Sequence, residues 1–100
     1  MKEEIKRRRD RARFEKYGGM ELVREFILKL PEKERYAKGF LVNDVAMQIA
    51  KEKIKRKSKQ RYFLAKIVLR QAVGNGYLNF QNGKYTLTRK ARKLRENRNE

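Results

Sequence analysis

The chain has 100 residues, 29 of them lysine or arginine against 12 aspartate or glutamate, for a formal net charge of +17 at pH 7. That length suits one small domain, and that imbalance points to a polyanion as partner. Cysteine and histidine are both absent, which excludes disulfides, thiolate chemistry, the usual general base and most zinc sites.

Residues 1–17, MKEEIKRRRDRARFEKY, place six basic residues among the eight from Lys6 to Arg13. Glu3–Arg7, Glu4–Arg8 and Lys6–Asp10 are i,i+4 pairs worth a few tenths of a kcal/mol each, too little to offset helix nucleation. The segment therefore reads as a basic arm, a nascent helix that orders when a polyanion neutralises it. Arg7, Arg8, Arg9, Arg11 and Arg13 are its candidate phosphate contacts. Gly18-Gly19 interrupts it. In MELVREFILKLP, Leu22, Val23, Phe26, Ile27 and Leu30 share one face at helical spacing, and Pro31 ends that helix. EKERYAKG is a polar loop. The apolar run Phe40-Leu41-Val42 before a turn-type residue reads as a brief strand. Asn43 is a good N-cap and Asp44 suits a first turn, so NDVAMQIAKEK reads as a second helix burying Val45, Ala46, Ile49 and Ala50. IKRKSKQ is too charged to pack, and Ser58 is placed to cap a third helix.

That third helix is KQRYFLAKIVLRQAV, stopped by Gly74-Asn75-Gly76. Leu64, Ile67, Val68 and Gln71 line one side of it, and Lys59, Lys66 and Arg70 the other, flanked by Tyr62 and Phe63. Asn82-Gly83 between two alternating segments is a strong hairpin signal. A two-residue loop there pairs Gln81 with Lys84, Phe80 with Tyr85 and Leu78 with Leu87. Leu78, Phe80, Tyr85 and Leu87 then share a face, which must pack on the helices because a lone hairpin is marginal in water. Thr88 is a possible cap for a closing basic helix or tail, RKARKLRENRNE.

A helix, a short turn and a longer helix with a basic outer stripe follow the helix-turn-helix plan. With a hairpin behind them, residues 20–95 resemble a winged helix. The most specific stretch is YTLTRKARKL, similar to the Y-x-L-T-x-K-G-x-x-L wing ending of many bacterial and archaeal winged-helix regulators, with Ala91 where that pattern has glycine. The expected architecture is α+β, a winged helix-turn-helix over 18–88. It has a three-helix core, a short strand and a C-terminal hairpin, preceded by the arm at 1–17 and followed by the basic extension at 89–100. The resemblance implies that the third helix enters the major groove, putting Lys59, Tyr62, Phe63, Lys66 and Arg70 near bases. It places Lys55, Arg56, Lys57, Ser58 and the wing tip, Asn82, Gly83 and Lys84, near phosphates. The i,i+4 spacing of Lys66 and Arg70, away from the apolar side, supports this independently. Tyr62 and Phe63 either stack on bases or finish the core.

The segments Lys2–Lys16, Lys51–Arg61 and Arg89–Arg98 hold 21 of the 29 basic residues. Arg61, Arg89 and Lys90 join the candidate contacts on that ground. Paired carboxylates, a phosphate-binding loop, a metalloprotease signature and a nucleophile elbow are all missing, so no catalysis, metal or cofactor is expected. No apolar run approaches a membrane span, and the first residues carry no signal-peptide core. The expected partner is nucleic acid, DNA ahead of RNA, in the cytoplasm. A double-stranded DNA regulator or chromatin-type protein leads. An RNA-binding protein of ribosomal type and an accessory subunit of a polymerase or similar machine stand as alternatives. No long apolar helix suits a dimer interface, which favours a monomer.

Overall fold

A computed structural model of the chain describes residues 2–30, 39–56 and 59–97. The elements in order are α1 (Lys2–Lys16), α2 (Met20–Lys29), α3 (Gly39–Lys53), α4 (Lys59–Gly74), β1 (Leu78–Gln81), β2 (Lys84–Leu87) and α5 (Arg89–Asn97). The architecture is α+β, with five helices and one two-stranded antiparallel sheet among the described residues. None of these helices is long and apolar enough to cross a membrane.

The core forms where three helices turn their apolar stripes inward. Leu22, Val23, Phe26 and Ile27 of α2 meet Val42, Ala46, Ile49 and Ala50 of α3 and Leu64, Val68 and Ala72 of α4, all buried. The apolar face expected of α2 is the buried one, and Leu30 closes it in extended backbone geometry. Pro31 and the polar loop lie outside the described residues, except Gly39, which opens α3.

The first segment departs from expectation. Residues 2–16 are helical, and α1 packs on α4 instead of standing off as an arm. Phe14 is the reason: it is only 4% exposed and belongs to the core cluster. One buried aromatic contributes far more than the surface ion pairs that sequence reasoning summed. Gly18 (φ 129) and Gly19 (φ 57) then reverse the chain in a backbone region that other residues rarely adopt. The Gly19 amide donates to the Phe14 carbonyl at 2.7 Å, so the reversal itself terminates α1.

Residues 40–42 are a second correction. They form the start of α3 and not a strand, and Asn43 sits exposed inside that helix instead of capping it. Val42, Ala46, Ile49 and Ala50 recur at i, i+4, i+7 and i+8, and their common burial selects the helix. Val45, expected in that face, is half-buried. Ile54, inside the stretch read as too charged to pack, is buried.

The hairpin has the expected register, Leu78↔Leu87, Asn79↔Thr86, Phe80↔Tyr85 and Gln81↔Lys84. Asn82 (φ 52) and Gly83 (φ 74) both take the left-handed geometry of a type I′ turn. Its apolar face, however, is not packed along its whole length. Leu78 is buried and Leu87 half-buried, whereas Phe80 is 53% exposed. Behind β2, the Thr88 hydroxyl accepts from the Ala91 amide at 3.3 Å and donates to the Gly76 carbonyl. This cap starts α5 and ties it to the turn after α4. Ala91 is fully buried where α5 runs beside α2 and β2.

Candidate nucleic-acid interface

Charge is distributed unevenly over this framework. No acidic residue occurs between Glu52 and Glu96, a stretch with fourteen lysines and arginines that builds α4, the hairpin and most of α5. Two acidic side chains of α2 and α3, Glu25 and Glu52, are paired with lysines of the other helix. Lys29 Nζ donates to both carboxylate oxygens of Glu52 at 2.8 Å, and Lys53 lies 3.5 Å from Glu25. The Lys29 hydrogen bonds hold the Glu52 carboxyl below the usual carboxylate range against the opposing effect of desolvation, with the charges of Lys29, Lys53 and Lys55 adding attraction. Helices α2 and α3 are thus near charge balance, and the stretch from α4 to most of α5 is strongly positive.

The positive stretch is organised by α4. At 100° per residue, Tyr62, Lys66, Lys59, Arg70 and Phe63 fall within one exposed arc of about a quarter-turn. Leu64, Ile67, Val68 and Ala72 occupy the buried side. Lys66 Nζ lies 4.6 Å from the Tyr62 ring centroid, and the Tyr62 and Phe63 rings meet edge to face at 5.9 Å. Both aromatics are nearly half exposed, at 49% and 44%, so neither completes the core. The stripe expected from spacing is present as a surface.

Helix α1 borders this stripe along its Phe63 and Arg70 edge. Asp10 lies 3.9 Å from Arg70, and the Arg13 guanidinium is 5.8 Å from the Phe63 centroid. Asp10, Arg13, Phe14 and half-buried Tyr17 share the inward side at helical spacing, which leaves Arg8, Arg9 and Arg11 exposed on the outer side. Arg7 lies in the same helix. The segment expected as a free arm therefore forms a second basic ridge fixed beside α4.

The remaining candidates divide by what their side chains already hold. Arg61 is turned to the end of α3, where Nε donates to the Ile54 carbonyl and Nη2 to the Lys55 carbonyl, each at 2.6 Å. Lys90 Nζ donates to the Asn75 carbonyl at 2.8 Å and lies 4.7 Å from the Tyr77 centroid, bracing α5. Both position elements. Lys55, Arg56, Asn82, Lys84 and Arg89 are exposed. Lys57 and Ser58 lie outside the described residues.

Sequence reasoning passed over three features. The acid-free stretch was legible by inspection. Asp10 as a neighbour of Arg70 was not, since their proximity depends on tertiary packing. Phe80 was assigned to the interior because strand alternation reports a shared face but not what covers it, whereas Tyr85 is half-buried against the core. No family model, characterised protein or solved structure matches the chain.

Proposed function

We propose that this protein binds double-stranded DNA without catalysis, as a small winged helix-turn-helix protein. In this reading α2, α3 and α4 are the three-helix core, α4 faces the major groove, and the hairpin is the wing. The design departs from the resemblance at 40–42, where helix replaces strand and leaves a two-stranded wing. The observation that carries the reading is the exposed arc Lys59–Lys66–Arg70 on α4 within a stretch free of acidic residues. Lys66 and Arg70 are the base-edge candidates, since an extended basic side chain from a groove-facing helix reaches guanine acceptors. Lys55, Arg56, Lys59, Lys84 and Arg89, with Arg8, Arg9 and Arg11 of α1, contact phosphates and set position. Arg61 and Lys90 act through the elements they brace.

The test is purification of the full chain with bound nucleic acid retained, followed by nuclease protection and sequencing of the protected fragments. Protected duplex DNA is the expected result. Protected RNA alone, or stoichiometric recovery of a protein partner with no nucleic acid, overturns the DNA assignment.

A further inference from the structure

The exposed ring of Phe80 is unusual because its neighbours on the same sheet face are covered. Leu78 is 2% exposed, Tyr85 and Leu87 are half-buried against the core, and the face opens at Phe80. Cross-strand pairing sets Phe80 directly against Tyr85, with ring centroids 4.6 Å apart and planes inclined at 41°. The type I′ turn at Asn82 and Gly83 sets the register that places the two rings opposite each other. A pre-ordered aromatic face loses little conformational entropy when a flat partner settles on it.

We propose that Phe80 and Tyr85 form a stacking platform for an unpaired nucleobase, so that the protein prefers duplex flanked by single strand over blunt duplex. The inference rests on the nucleic-acid reading above and adds the substrate class. Charge selects the occupant. Lys84, on the opposite strand face beside the turn, and Arg89, at the start of α5, are exposed at the two ends of β2, and no acidic residue lies between Glu52 and Glu96. A partner at this face is therefore an anion that also presents an apolar plane, as a base on a phosphate backbone does. Bases inside a duplex are already stacked on their neighbours, so the platform takes one that is unpaired.

The experiment uses the full chain and two labelled substrates, a blunt duplex and the same duplex with a short single-stranded overhang carrying 2-aminopurine. Wild type is expected to bind the overhang substrate about 5- to 150-fold more tightly, the gain from one stacked base, and to change the 2-aminopurine fluorescence. Phe80→Ser and Phe80→Leu should each lose the preference and the fluorescence change while keeping blunt-duplex binding. Phe80→Tyr should retain both. Because Phe80 lies outside the core, these variants leave the folding elements untouched. Equal wild-type affinity for the two substrates overturns the platform, as does a preference that survives in Phe80→Ser. Retention in Phe80→Leu but not in Phe80→Ser overturns it in favour of a merely apolar contact. Failure of wild type to bind either substrate overturns the nucleic-acid reading as well.

Discussion

Phe14 decides whether α1 belongs to the body of the molecule. Phe14→Ala should destabilise the chain by about 3–5 kcal/mol, the range for truncating a buried aromatic; a shift in urea midpoint at constant slope measures it. A change typical of surface sites would mean that α1 does not pack. The opposite prediction applies to exposed residues of α4. Lys66→Ala and Arg70→Ala should relax sequence preference by about 1–3 kcal/mol per lost base contact. Folding stability should move little, because surface ion pairs such as Asp10–Arg70 contribute about 0–1 kcal/mol. Competition among duplexes of different sequence reads the first effect, and sequence-blind losses would leave α4 with backbone contacts only. Glu52 gives a pH signature on the charge-balanced helices. Its carboxyl is depressed by Lys29, so its stabilisation is complete above the ordinary carboxylate range and is lost as pH falls through the depressed value. Glu52→Gln should remove that part of the acid slope and leave DNA binding unchanged. At this scale the sequence exposed the α4 stripe, since spacing alone sets which side chains share a helix side. It concealed Phe14, because local pair energies say nothing about tertiary burial.

At the level of elements, the hairpin tests how firmly a turn fixes function. Gly83→Val forces a β-branched side chain to φ 74, at a cost of about 1–3 kcal/mol, and the strands should lose register. Amide exchange should then accelerate at residues 78–87, and the ring contact between Phe80 and Tyr85 should disappear. Unchanged exchange would mean that the Asn-Gly turn does not set the pairing. This register was readable because two independent signals agreed, the turn dipeptide and the alternation in both strands. The exposure of Phe80 was not readable, since alternation does not say that Leu78, Tyr85 and Leu87 meet the core while Phe80 does not. The start of α3 failed for a different reason. Three apolar residues fit either a strand or a helix, and only the packing of Val42 in line with Ala46 and Ile49 separates the two.

For the whole molecule, the net charge of +17 governs association more than folding. With α1 docked, its arginines and the α4 stripe form adjoining positive ridges, while α2 and α3 carry the paired acids. Deleting α1 would remove Phe14 and confuse stability with charge, so substitution of Arg8, Arg9 and Arg11 by glutamine is the cleaner change. If roughly 6–10 basic residues touch phosphates, log K should fall with log salt concentration at a slope of about −5 to −9. The triple substitution should make that slope shallower by about 2–3 units and preserve the sequence preference proposed for Lys66 and Arg70. The deciding measurement is therefore a titration of fluorescent duplex DNA at several salt concentrations with the full chain. A steep negative slope that flattens in the arginine variant is the expected result, and a slope near zero for the full chain contradicts nucleic-acid binding itself.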